Sequence, residues 1–281
     1  MTFCSLRQID YLREACAPHC GEGDANAPDA GADTAAPPLD ASVDADASPS
    51  PCSADAGYRA LVLCDRPLAY FRLDEQGPPQ ANDTVDGSAG AYVAAEAGAI
   101  AYGAPGAIAA DSDKAIHLDG NGYVGGGTAL SFPGKAPFSL EAWVAPEGDN
   151  FSYRRIFERL VFDGSGQPLD GYIVYNHTTV GAERYVDGGS AQVLGPQLGN
   201  LAYSHVLVTF DGSTLRLYVN GALAASTPTD AAAGDVTANL FFGGTDRPAA
   251  GWVGGLDEVA AYGYALDASQ VTAHYRAGRG E

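Results

Sequence analysis

The chain has 281 residues, 46% of them hydrophobic and only 18% charged, and its 35 acidic against 15 basic residues give a formal charge of −20. With a pI near 4.3, it lacks the clustered Lys and Arg that neutralise nucleic-acid phosphates or anionic lipid surfaces, so neither is an expected partner. Thirty-six glycines and 15 tyrosines favour strands and turns over long helices.

The first 20 residues hold one short amphipathic stretch and three of the five cysteines. Cys4, Cys16, Cys20, Cys52 and Cys64 all lie in the first quarter, and the 217 residues after Cys64 contain none. This asymmetry reads as a disulfide-stapled entry segment formed in an oxidising compartment, with one thiol left over. Cys52 and Cys64, which flank the first predicted helix, are the favoured bridge, and Cys16 and Cys20 are further disulfide candidates. Zinc at Cys16, His19 and Cys20 is disfavoured because the spacing matches no common structural site. The opening residues show no basic region followed by an apolar one, and no apolar run is long enough to span a bilayer. Export is still expected from the cysteines, with a start lying upstream or a processed product to reconcile it with the missing signal, and Cys4 is a candidate for lipid attachment.

Residues 21–57 carry eight acidic residues, no basic ones and no aromatics. Such a segment buries too little apolar surface to offset its ordering entropy, which predicts a disordered, self-repelling linker. From residue 58 the texture changes to short apolar runs broken by glycine-rich turns. Strands are predicted at 68–73, 115–118, 138–144, 156–162, 171–175, 191–194, 205–210, 215–219, 222–226, 240–243 and 254–262. Asn220-Gly221 is the strongest hairpin signal, because a type I′ turn needs positive φ at both central positions. Short helices are predicted at 53–63 and 268–277, the latter with Asp267 as N-cap, Gln270 at the third position and Gly278 just past its end. The expected fold is an all-β, two-sheet antiparallel sandwich of residues 58–281.

Five stretches in order carry a family resemblance: YRALVLCDRPLAYFRLDE (58–75), AIHLDGNGYV (115–124), FSLEAWVAP (138–146), SHVLVTFDGSTLRLYVNGALAAS (204–226) and WVGGLDEVAAYGYALDASQVTAHYRAG (252–278). Together they resemble the LamG-like jelly-roll family of the concanavalin A-like lectin/glucanase superfamily. Tyr203 stands where the family commonly has Trp. The resemblance implies two sheets packed face to face, and a structural Ca2+ where early and late segments meet. Asp83 and Asp257 are the expected ligands, with Glu75 and Asp119 as weaker additions, because Ca2+ accepts oxygen ligands from distant loops.

Some relatives with this architecture cleave polysaccharides, which takes two carboxyls about 5 to 9.5 Å apart. The E-x-D-x-x-E pattern that places such pairs on one strand is absent. Glu141 is alone in its strand, and Asp257-Glu258 should point to opposite faces if extended. The five histidines are scattered, and His205 and the two tryptophans, Trp143 and Trp252, read as core or rim residues. We therefore expect a non-catalytic module at the cell surface, or secreted, that binds a glycan or a protein. A hydrolase or lyase with carboxylates drawn from separate strands, and a structural spacer, are the alternatives. Loops that join aromatics to hydrogen-bonding groups suit sugar recognition. Tyr153, Arg154 and Arg155, then Arg184 and Tyr185, then Asp246 and Arg247 are the candidates. The expected state is monomeric.

Overall fold

Strand alternation in the sequence becomes a two-layer sandwich in a computed structural model that describes residues 57–281, except 110, 129, 149–151, 235, 236, 248 and 249. The predicted entry segment and all but the last residue of the predicted linker, with Cys4, Cys16, Cys20 and Cys52, lie outside the described residues. In the first sheet the order is β14 (Ala222–Pro228), β13 (Thr214–Val219), β12 (Ser204–Phe210), β7 (Phe138–Pro146), β16 (Val253–Tyr262), β5 (Lys114–Asp119) and β4 (Ile100–Pro105). A further strand, β1 (Ala69–Phe71), pairs with the C-terminal half of β16. The second sheet runs β11 (Gly189–Leu194), β10 (Val180–Val186), β9 (Pro168–Asn176), β8 (Arg154–Phe162), β15 (Phe241–Phe242), β6 (Gly122–Gly125), β3 (Ala89–Ala94) and β2 (Gln80–Asn82). All eleven predicted strands form, and the Asn220-Gly221 turn between β13 and β14 has positive φ at both residues, 52° and 75°.

Alternate residues of β7 show how the layers divide. Phe138, Leu140, Ala142 and Val144 enter the main core between the sheets, together with Val206, Val208 and Phe210 of β12 and Phe157, Val174 and Ala182 of the second sheet. Trp143 points the other way and packs with Tyr58, Val62, Leu207, Tyr262 and Val271 beneath two helices, α1 (Tyr58–Cys64) and α2 (Ala268–Arg279). Both faces of β7 are thus covered, which is why all nine of its residues are buried. Both tryptophans are fully buried.

Asp267 caps α2 with the predicted capping box: its carboxylate accepts from the Ser269 and Gln270 N–H groups, and the Gln270 side chain accepts from its N–H. The helix runs on past 277 to Arg279 and stops at Gly280 in the left-handed conformation. Gly278 serves close approach rather than termination, since a Cβ there would sit 2.3 Å from Trp143 Cζ2.

A buried polar cluster ties the helices to the first sheet. Glu141 on β7 accepts from Tyr58 OH at 2.8 Å and Tyr262 OH at 2.9 Å, and it meets His205 Nε2 at 2.8 Å. His274 Nδ1 of α2 lies 3.0 Å from both Glu141 oxygens, while its Nε2 lies 2.9 Å from Asp65 after α1. Histidines that look scattered in the sequence thus converge on the carboxylate that stood alone in its strand. Burial alone would push His274 down, but Glu141 and then Asp65 overcome it and raise it to about 9. Burial would likewise push Glu141 up, yet the His274 charge and the hydrogen bonds from His205 and His274 hold it well below the usual carboxylate range.

Candidate functional site

Among the described residues, no helix covers the outer face of the second sheet. Adjacent register positions set Gln192, Glu183, Ile173, Glu158 and Phe241 in one row across β11, β10, β9, β8 and β15. Strand spacing of about 4.8 Å puts successive members side by side. A parallel row holds Leu194, Gly181, Tyr175 and Arg155. Gly181 is needed there: a Cβ would lie 2.7 Å from Tyr175 Cζ, so its absence lets that ring lie flat over the sheet.

Two carboxylates organise this face. Glu158 Oε2 accepts from Arg155 Nε at 2.9 Å, and its Oε1 accepts from Thr245 Oγ1 at 2.9 Å and from Arg247. Glu183 accepts from Tyr175 OH at 3.1 Å, Gln192 Nε2 at 2.8 Å and Tyr185 OH. Burial and the Glu183 carboxylate push both phenols above their ordinary range, which keeps them protonated as donors. Above this network Tyr153 is 50% exposed, stacked on His177 with ring centres 4.5 Å apart at 5°, and 5.1 Å from Tyr175. The Arg247 guanidinium lies 3.7 Å from the centre of the Phe162 ring. Each arginine is thus fixed by a carboxylate or an aromatic plane rather than left mobile.

Five of the seven candidate ligand residues, Tyr153, Arg155, Tyr185, Asp246 and Arg247, lie on or beside this face. Arg184 does not, because neighbours on a strand alternate. It turns to the inner side, covers the Phe210 ring at 4.4 Å and donates to the Ala231 and Gly134 carbonyls. Arg154 is half-buried opposite Asn176 at the start of β8. Residue-level reading missed Glu158, Tyr175, His177 and Gln192. Glu183 and Tyr185, two apart on β10 and so on one face, were the available signal for that side of the sheet.

The four expected Ca2+ ligands do not meet at one point. Asp83 accepts from the Tyr70 and Val85 N–H groups and staples the turn after β2, while Glu75 accepts from Asn82 and Tyr92. Asp119 is exposed and accepts from Asn121 N–H. Asp257 instead joins Asp113 and Glu258, with one oxygen of each within 4.8 Å of the others. The sequence expectation that Asp257 and Glu258 diverge fails because the strand is not extended there: Glu258 has φ 52° and the register with β7 shifts between Asp257 and Ala260. Asp257 Oδ2 accepts from Ala107 N–H at 2.8 Å, and Oδ1, fully buried, has no hydrogen-bond partner among the described residues. Burial first, and then the neighbouring acids, push Asp257 and Glu258 well above the usual carboxylate range. Three hard oxygen donors and an unmet buried acceptor fit an oxygen-seeking divalent cation.

Solved structures share this fold at low sequence identity. Domain 4 of AbnA, a GH43 extracellular arabinanase from Geobacillus stearothermophilus solved in complex with arabinotriose, is 18% identical with a TM-score of 0.52, covering 74% of this chain and 97% of that one. The binding domain of Paraclostridial Mosquitocidal Protein 1 is 14% identical with a TM-score of 0.58, covering 76% of this chain and 52% of that one. The binding domain of botulinum neurotoxin DC, in complex with rat synaptotagmin II, is 10% identical with a TM-score of 0.55 over 76% and 52%. The chain thus spans about half the length of these toxin binding domains. No curated protein matches it by sequence. A laminin G family model described as Concanavalin A-like lectin/glucanases superfamily matches residues 118–272, more than half of the chain. The chain belongs to the concanavalin A-like lectin/glucanases superfamily.

Proposed function

We propose that this domain is a non-catalytic module that binds a carbohydrate of low net charge across the outer face of its second sheet. The observation that carries this reading is the half-exposed Tyr153 ring, stacked on His177 and bordered by arginines whose charges Glu158 and the Phe162 ring already engage. Sugars present apolar faces rimmed by hydroxyls, and this surface offers a ring plane beside planar polar edges. Pairing within the face leaves little unbalanced charge to attract a polyanion. The arabinotriose held by the arabinanase domain makes arabino-oligosaccharides the first probe.

The enzyme alternative has one specific observation behind it. Glu158 and Glu183 stand two strands apart, so their backbones are about 10 Å apart, near the inverting range. Against it, each carboxylate is already engaged by three side-chain donors, leaving no free acid or base at rest. Glu141 lies fully buried under the helices, out of any substrate's reach.

An extracellular or cell-envelope location fits the cysteine asymmetry, and with it we propose a disulfide at Cys64, with Cys52 as the favoured partner. We also propose Ca2+ at Asp113, Asp257 and Glu258. Affinity electrophoresis through a panel of neutral and acidic polysaccharides should retard the protein in a neutral one, with no reducing sugar released. Retardation only by acidic polymers, none by any, or release of reducing ends that Glu158→Gln abolishes, would replace this reading.

A further inference from the structure

We infer that Arg72 is a built-in competitor for the cation at the Asp113, Asp257 and Glu258 carboxylates, and that it holds the site to weak affinity; this rests on the cation reading given above. Arg72 follows β1 and reaches into the cluster from the side. Its Nε donates to Glu258 Oε1 at 3.2 Å, and its Nη2 lies 2.5 Å from Asp113 Oδ2. Two of the three candidate ligands are therefore already engaged by a guanidinium.

A divalent cation that takes Asp113 and Glu258 must displace those contacts or share the oxygens with a positive charge a few ångströms away. Either costs affinity, because like charges repel strongly where water is scarce. The arrangement also gives Arg72 somewhere to go. Nη2 is 3.0 Å from Asp111 Oδ2 and Nη1 is 3.7 Å from Asp74 Oδ2, and both of those carboxylates are partly exposed.

The third ligand stays open. Among the described residues Asp257 makes no direct ion pair with Arg72, and its Oδ1 is a buried acceptor without a hydrogen-bond partner. Glu258 is pre-aimed by Tyr70 OH on its second oxygen. Four carboxylates, Asp74, Asp111, Asp113 and Glu258, thus contact one guanidinium, more than its single charge balances. An arginine suits this role because it stays charged at any physiological pH and its planar fork spans two carboxylates at once.

Calorimetric titration of the full chain with CaCl2 alone, paired with thermal melts in EDTA and in excess calcium, tests this. Arg72→Gln should bind Ca2+ at least tenfold more tightly than the parent and gain more melting temperature from it. Arg72→Lys, which keeps the charge but loses the fork, should fall between the two and serves if Arg72→Gln does not fold without calcium. Asp257→Asn should abolish binding in either background. Equal or weaker Ca2+ affinity in both Arg72 variants, with the parent still binding, would overturn the role of Arg72 and leave the cation site standing. No heat and no melting shift in the parent and in the variants would remove the cation site, and this inference with it.

Discussion

Replacing Glu141 by alanine should destabilise the domain by about 4 kcal/mol, lowering its melting temperature by roughly 10 °C. The substitution strands a charged imidazole and three further donors in a buried layer between β7 and the helices, since Glu141, His205 and His274 are all fully buried. Breaking one side of such a cluster costs the desolvation of everything left behind, beyond the contact itself. Urea unfolding followed by tryptophan fluorescence measures it, because Trp143 lies 5.1 Å from His205 in the same layer. A loss below about 1 kcal/mol would mean the cluster is wet. Glycan binding by the folded variant should be unchanged, since Glu141 belongs to the other sheet.

The same cluster makes stability depend on alkaline pH. The folded His274 value, about 9, lies above the unfolded one near 6.5. Its contribution is therefore complete below about pH 6.5 and is lost as pH rises through 9, amounting to about 3 kcal/mol. Unfolding free energies measured from pH 6 to 10 should fall across that window in the parent. They should stay flat over it in His274→Gln, from a lower starting value. A parent curve that is level between pH 7 and 9 would contradict the assignment.

The second large effect is at Gly254 in β16. Its φ is 126°, and a Cβ there would stand 2.0 Å from the Ala145 carbonyl oxygen on β7. Both the conformation and the space exclude a side chain, so Gly254→Ala should cost more than about 3 kcal/mol or prevent folding. Gly148→Ala is the matched control: φ is 84° but nothing lies within 4 Å of the added carbon, so only the conformational cost of about 1 kcal/mol applies. Melting temperatures of the two variants separate clash from strain. Similar losses in both would show that β16 can move away from β7.

The frame was legible wherever apolar residues fill both faces of a strand or alternate cleanly, as in β7, β12 and β16. Strands β2, β3, β4, β6 and β10 went unpredicted for a different reason. QAN, AGAYVA, IAYGAP and GYVG are short and rich in Gly and Ala, and VGAERYV carries its charges in the middle. Their pairing is imposed by neighbours rather than by their own propensity. At the site, Tyr153, Arg155, Tyr185 and Arg247 stood out because aromatics and arginines together suggest a sugar. Glu158 did not, nor did its alignment with Glu183, since only the register brings two carboxylates on different strands into one row. Asp257 was legible as an oxygen donor, but its partners were not: a single positive φ at Glu258 redirects a neighbour that an ideal strand would send to the opposite face.

The most direct test of the account is a calorimetric titration of the domain with the neutral oligosaccharide selected by the polysaccharide panel, starting with arabinotriose. It is repeated with Tyr153→Ala and Arg247→Ala, both on the outer face of the second sheet. Each substitution should weaken binding at least tenfold, and Tyr153→Ala should leave the melting temperature within about 2 °C of the parent, as expected for an exposed residue. Binding of the same strength in both variants would place the ligand elsewhere and contradict the assignment of this face.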